Sequence, residues 1–300
     1  MELQDKMEAF EAAGVGVFAL SYDEPEALAD FGSAYGITYT LLSDPASEVI
    51  RSFGILNTLI DENDHPWFGI PFPGAYVVDA EGLITHKFFE NNLAIRIGPE
   101  PLLRAARGEA ADSPVADHSP PAETKWRIFV DGERLAIGVL RDLVVRIDVP
   151  AGRHLYADPA PEGNVPVTLN LDEAPGLVVR DVVKPASAAL TLGGTGEVIQ
   201  VYEGSVELRL PVTVNGDLIA VTKEPGEITL SGELRWQTCD DQMCDLPRRE
   251  KFGIAVAIAG SVPSELNASA DGVVVRGMNA PEHFDRMARR RTQSGTGDGG

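Results

Sequence analysis

The sequence predicts an α/β unit followed by an antiparallel β-sandwich, and three observations carry that expectation. Over residues 1–107, short apolar runs alternate with amphipathic helical stretches that end in glycines. From Trp126 to Gly260 the apolar period changes to two, with Gly, Pro and Asp between the runs and no helical pattern. Between these halves, GEAADSPVADHSPPAE (Gly108–Glu123) has no apolar period and the Pro-, Ala- and acid-rich composition of a linker. A chain of 300 residues also exceeds the usual size of one core. The expected organisation is an α/β domain over 1–107, a linker over 108–124, a β-sandwich over 125–260 and a flexible tail over 261–300.

In the first domain, ELQDKMEAFEAAG places Leu3, Met7 and Phe10 on one helical face, and Gly14 stands where a left-handed residue would end the helix. VGVFALS is a continuous apolar run, the pattern of a strand buried on both faces. Asp23 with Glu26 has the spacing of a capping box for EPEALADFGSAY, which Gly36 closes. TYTLLS is the next strand. Asp44 and Pro45 supply an N-cap and a first-turn proline for PASEVIRSF, closed by Gly54. A loop from Asn57 to Pro73, carrying His65 and Trp67, leads into AYVVD. Ala80-Glu81-Gly82 turns that strand into LITHKFFE as a hairpin, and PEPLLRAARG closes the unit as a helix. Strands separated by helices imply a parallel sheet, finished by the antiparallel hairpin.

The second domain offers RIFVDGERLAIGV, DLVVRIDVP, VPVTLNL, LVVRDVV, VIQVYEG, SVELRLPVTV, EITLSGELRWQT and FGIAVAIAG as strands. After Gly260 only Ala280–Arg291 has a helical pattern, short and basic, before QSGTGDGG.

A formal net charge of −21 repels phosphate backbones and anionic headgroups within a Debye length of about 8–10 Å, so no nucleic-acid partner is expected. No run approaches the 18 or so apolar residues of a membrane helix, and the opening stretch is acidic and amphipathic where a signal peptide is basic and then apolar. No membrane insertion of this chain is expected.

Cys239 and Cys244, in RWQTCDDQMCDLP, are the two cysteines of the chain. Extended backbone would separate their Cα atoms by about 16 Å, whereas a disulfide needs about 4.4–6.8 Å, so pairing requires DDQM to reverse the chain. As a staple, a six-residue loop is worth about 2 kcal/mol against about 3 for fifteen residues. A structural zinc site wants four Cys or His ligands, and no second pair or neighbouring histidine accompanies these two. Inert buried thiols would be odd on so polar a turn. The remaining reading is a short, accessible disulfide open to attack by a partner thiolate. Asp240 and Asp241 oppose a thiolate while Arg235, Arg248 and Arg249 offset them, so composition leaves the direction of any thiol shift open. His154, in RHLYADP, could sit near the pair, although a histidine in such a place is more commonly a core or surface residue. His65 and His86 show no ligand spacing, and GGTGE (193–197) follows no βαβ start as a phosphate loop would.

The segment from MELQDKMEAF through SYDEPEALADF and TYTLLSDPASEVIRSFGILN to IPFPGAYVVDAEG resembles the AhpC/TSA redoxin group, the thioredoxin-fold proteins that include peroxiredoxins. The likeness spans about residues 1–107 and is carried by SYD before one helix, LLSDP before another, and P-G-x-Y-V-V-D at a late strand. It implies a thioredoxin-like domain whose reactive cysteine lies in a loop just before the helix that opens this chain. That loop, and the central strand before it, are absent, so the domain is expected to be incomplete at its start. A peroxidatic mechanism needs an activated thiolate, and this domain contains no cysteine. Gly74 stands where peroxiredoxins often have an arginine. Pro73 is similar to the proline that is cis in many thioredoxin-fold proteins and faces the reactive sulfur, which makes it a candidate thiol-facing residue.

VPAGRHLYADP, followed by GELRWQTCDDQMCDLPRREKFGIAVAI, resembles the N-terminal periplasmic domain of the thiol:disulfide interchange protein DsbD. This likeness covers about residues 125–260 and implies an immunoglobulin-like sandwich. By it, Cys239 and Cys244 would be the exchanging pair, though four residues separate them where the best-known members have five. Together the resemblances imply a thiol-dependent oxidoreductase, reducing peroxide or a protein disulfide, with electrons passing through Cys239 and Cys244 to or from a thioredoxin-like partner and with no cofactor or metal. The DsbD likeness implies a periplasmic or envelope location, and a cytoplasmic one would follow if no export signal lies upstream. The rival expectation is a non-enzymatic envelope binding module, with a degenerate redoxin domain and a structural disulfide.

Overall fold

The computed structural model describes residues 2–60, 68–90, 95–109, 123–192, 196–215, 226–240 and 243–259, and the backbone of three short strands beyond residue 266. His65, Trp67, most of the expected linker, Gly193–Thr195 and the expected helix at 280–291 lie outside the described residues. The chain divides into two compact units, Met1–Pro99 with Ser261–Gly300, and Glu100–Gly260.

The first unit opens with helices α1 (Glu2–Asp5) and α2 (Met7–Ala12), the expected single helix being interrupted at Lys6. Met7 and Phe10 are buried, and Gly14 takes a positive φ of 69° just beyond α2. Strand β1 (Phe18–Ser21) pairs in parallel with β2 (Thr40–Ser43), in the register Phe18 to Thr40 and Ser21 to Ser43. Helix α3 (Pro25–Tyr35) crosses between them and ends at Gly36 in the left-handed region. The capping box does not form: Glu24 is the N-cap and makes no side-chain cap bond, while Asp23 accepts a bond from the Ser21 hydroxyl instead.

Helix α4 (Glu48–Ser52) begins three residues later than the proline signal predicts. Asp44 nevertheless caps it, its carboxylate accepting from the amides of Glu48 and Ile50 at 2.9 Å each. Tyr22 and Ile50 are buried against Leu20, Ile55, Leu56 and Ile70. Strands β3 (Gly74–Val78) and β4 (Ile84–Phe89) form the expected antiparallel hairpin, with the Asp79 carboxylate accepting from the amides of Glu81 and Leu83 in its turn.

The sheet departs from expectation. Pair β1–β2 and hairpin β3–β4 are separate two-stranded sheets, and among the described residues no strand pairs with the other edge of β1 or β3. β1 is therefore not buried on both faces, and Phe18 remains 67% exposed. After the two-residue β5 (Arg96–Ile97), helix α5 (Pro99–Ala106) leads from Glu100 onward into the second unit, and the first unit also includes a meander of β18 (Asn267–Ser269), β19 (Gly272–Val275) and β20 (Met278–Asn279).

The second unit is β-rich. One sheet runs β10 (Thr168–Leu171), β15 (Glu227–Trp236), β17 (Arg248–Ile258), β7 (Arg134–Leu135). A second contains β11 (Leu177–Val179), β14 (Ser205–Val214), β8 (Val139–Asp148) and β6 (Lys125–Val130), the last pairing with β8. A third runs β12 (Ala188–Thr191), β13 (Val198–Tyr202), β9 (His154–Tyr156), β16 (Thr238–Cys239). The first two sheets share a core to which alternate residues contribute: Leu143, Val145 and Ile147 from β8, Leu208 and Leu210 from β14, Leu230 and Leu234 from β15. Full burial of each such side chain is worth about 1.5–3 kcal/mol. Gly232 on β15 admits no side chain, because a Cβ there would lie 2.2 Å from the Asn170 carbonyl oxygen of the neighbouring strand.

The opposite face of β8 and β14 carries charge. Arg146 pairs with Glu207, Arg209 bonds Glu207 at 2.5 Å, and Arg209 also lies 3.5 Å from Asp142. From α5, Arg104 reaches Asp131 and Asp142, and Glu100 pairs with Arg141, whose side chain is only 3% exposed. Burial pushes the Asp131 carboxyl above the usual carboxylate range, with Arg104 and Arg209 partly opposing the shift.

Candidate functional site: a disulfide with one exposed cysteine

Strand β15 ends at Trp236, buried in the core, and the chain then leaves that sheet to join the third. Gln237 fixes the crossing from both ends of its amide. Its Oε1 accepts from the Val165 amide at 2.9 Å, and its Nε2 donates to the Asp245 carbonyl at 3.0 Å. The Thr238 carbonyl accepts from the Asp245 amide at 2.9 Å and from Arg153 at 3.3 Å, and Arg153 is ion-paired with the Asp245 carboxylate at 3.0 Å. These bonds hold the residues on both sides of the cysteine loop before any sulfur chemistry is considered.

Cys239 and Cys244 form a disulfide, with Cα atoms 4.0 Å apart. The chain therefore reverses between them, as pairing requires. The reversal is closed by the Asp240 amide donating to the Met243 carbonyl and the Met243 amide donating to the Asp240 carboxylate, at 2.9 and 2.8 Å. Asp241 and Gln242 lie outside the described residues.

The two sulfurs differ in their surroundings. Cys239 is wholly buried, packed with Tyr156, Ile199 and Val201. Cys244 is exposed, between Met243 at 70% and Leu246 at 86% exposure. The Tyr156 hydroxyl stands 3.7 Å from the Cys244 sulfur, and the Asn164 side-chain oxygen 3.9 Å from it. Burial first, and the charge of Glu197 second, push the Tyr156 phenol above its ordinary value, so it stays protonated and able to donate at neutral pH.

β16 pairs with β9 so that Cys239 stands directly opposite His154, and Thr238 opposite Leu155. His154 is 2% exposed and packs edge-on against the Tyr156 ring at 5.4 Å. The sequence placed His154 only in the general vicinity of the pair. Tyr156, Asn164, Arg153 and Gln237 were not singled out at all, since β9 is three residues long and its apolar pattern too short to read. The sole signal for them was that RHLYADP and QTC fall within one resemblance.

Pro73 belongs to the first unit, and Cys239 and Cys244 belong to the second. Its carbonyl accepts from the Glu90 amide at 3.0 Å, and it borders a shallow depression lined also by Gly74, Phe89 and Ile97. Among the described residues the cis peptide bond is Asp158–Pro159; the bond before Pro73 is trans, unlike that of the proline it was compared with. A Cβ on Gly74 would meet the Phe89 ring at 2.3 Å, so an arginine cannot replace it without moving β4. His86 is exposed and stacked on Phe88. Among the described residues no group of three His, Cys, Asp or Glu side chains could hold a metal ion.

Comparison with known proteins gives two separate matches along the chain. Residues 1–87 match the AhpC/TSA family, and residues 136–255 match the family described as thiol:disulfide interchange protein DsbD, N-terminal. Peroxiredoxin Bcp of Escherichia coli is 32% identical over 90 residues, covering 29% of this chain and 54% of that protein. A putative peroxiredoxin of Mycobacterium tuberculosis is 43% identical over 88 residues, covering 28% and 52% respectively. The chain thus spans about half the length of the curated relatives it matches. Among solved structures, the N-terminal periplasmic domain of ScsB from Proteus mirabilis aligns with a TM-score of 0.32 at 17% identity, over 47% of this chain and 49% of that one. The Neisseria meningitidis DsbD N-terminal domain in the reduced form aligns with 0.27 at 16% identity, over 39% and 78%. In one chain, an AhpC/TSA-like region is followed by a region that matches the DsbD N-terminal family.

Proposed function

We propose that this chain is a thiol redox protein whose second unit exchanges the Cys239–Cys244 disulfide with a dithiol partner of thioredoxin-like type. The observation that carries the reading is the asymmetry of the pair: Cys244 is an exposed residue between two exposed apolar side chains, and Cys239 is wholly buried. A partner thiolate attacks the Cys244 sulfur, the intramolecular S–S bond breaks, and Cys239 leaves with the electron pair. The partner's second thiolate then attacks the mixed disulfide, releasing Cys244 as a thiolate and the partner as its own disulfide. Two electrons enter this protein, and running the same steps backwards passes them to a protein disulfide. The AhpC/TSA-like region of this chain contributes no cysteine, so thiol–disulfide exchange in this sequence runs through Cys239 and Cys244 alone. We read the β-rich unit as an immunoglobulin-like sandwich and place it in the periplasm or envelope, where an exchangeable disulfide is maintained.

The test is differential alkylation of the fully reduced protein. Cys244 is expected to react with iodoacetamide at least about tenfold faster than Cys239, and Cys239→Ser to trap a mixed disulfide with a thiol partner that Cys244→Ser does not trap. Equal labelling, or faster labelling of Cys239, overturns the assignment.

A further inference from the structure

Attack at the exposed Cys244 leaves a buried leaving group. The leaving group is Cys239, wholly buried among Tyr156, Ile199 and Val201, and a bare thiolate in such surroundings is costly. Exchange rates rise as the leaving thiol becomes a better leaving group, so a proton or positive charge delivered to Cys239 accelerates the step. Two buried titratable side chains stand beside the pair: the Tyr156 hydroxyl lies 3.7 Å from the Cys244 sulfur, and His154 is opposite Cys239. His154 is the register partner of Cys239 on β9, and directly opposite residues of an antiparallel pair point to the same face with Cβ atoms about 4.5–5.5 Å apart.

Resting on the exchange reading above, we infer that His154 is the proton donor to the Cys239 sulfur. As the S–S bond breaks, the proton of the His154 imidazolium passes to the departing sulfur, leaving a neutral imidazole and a Cys239 thiol; reoxidation returns the proton to the ring. The partner dithiol supplies both electrons, and His154 supplies only the proton. Among the described residues, chain position and strand register also place near His154 the charged or titratable groups Arg153 with its partner Asp245, Tyr156 two residues on, Cys244 across the disulfide, Asp240 after Cys239, and Glu203 just past β13. Tyr156 is held protonated and does not titrate in the range where an imidazole does.

The experiment follows reduction of the disulfide in the full chain by dithiothreitol from pH 5 to 9, with each rate constant divided by the fraction of dithiothreitol present as thiolate. The corrected constant is expected to fall at least about tenfold as pH rises through the imidazole range, and to lose this fall in His154→Gln. The midpoint of the fall is expected to coincide with the His154 ring titration followed by NMR in the unaltered oxidised protein, a comparison that needs no variant to fold. A profile that is flat, that survives in His154→Gln, or whose midpoint departs from the His154 titration overturns the inference while leaving exchange at Cys244 intact. A disulfide that dithiothreitol does not reduce at any pH overturns both.

Discussion

At the scale of residues, the chemistry rests on a difference in burial between two cysteines five positions apart. Spacing alone could not reveal it, because five residues allow many turns and burial is decided by what packs on top. Tyr156, Ile199 and Val201 cover Cys239 while Gln237 and Arg153 hold the backbone beside the loop, and they meet through strand pairings that sequence periodicity does not encode. Tyr156 gives a further expectation. Its folded-state pKa lies above the ordinary tyrosine value, so its contribution to stability is complete below about pH 10 and is lost as pH rises through the raised value. Urea denaturation at pH 8 and at pH 10.5 is expected to show a smaller alkaline loss in Tyr156→Phe than in the unaltered protein; identical losses would remove Tyr156 from the account.

At the scale of elements, signals that depend on local chemistry were legible and those that depend on neighbours were not. Gly14, Gly36 and Gly54 end helices where the sequence places them; the long strands β14 and β15 lie within the runs that period two marks out, while β8 and β17 overlap theirs and begin three and four residues earlier. The strands β9, β12 and β16 are too short to show a period, and β1 looked like a buried strand because periodicity cannot say how many neighbours a strand has. The charged face of β8 was equally invisible, since Asp142 and Arg146 alternate with Leu143 and Val145 as the polar side of any half-exposed strand would. They are in fact 7% and 8% exposed, within a network of arginines and carboxylates. Arg141→Ala leaves the Glu100 carboxylate buried without that arginine and is expected to cost about 3–5 kcal/mol in urea unfolding. Replacing Arg146 and Glu207 together by Met and Leu is expected to cost less than removing Arg146 alone, because the Glu207 carboxylate is then not stranded and Arg209, which loses Glu207, keeps Asp142 at 3.5 Å. Additive costs for the two single changes would contradict the network.

At the scale of the whole molecule, the division into an α/β and a β-rich part was legible from the change of period, and the two resemblances agree with the family matches over 1–87 and 136–255. What the sequence left open was whether two cysteines are a staple or an exchange pair, because both need the same disulfide. The reduction potential of Cys239–Cys244, measured by equilibrating the full chain with glutathione or dithiothreitol buffers and counting free thiols, separates the two most directly. The exchange account requires a potential above about −300 mV, within reach of thioredoxin-like dithiols; a value below about −300 mV would make the bond a structural staple and contradict the account.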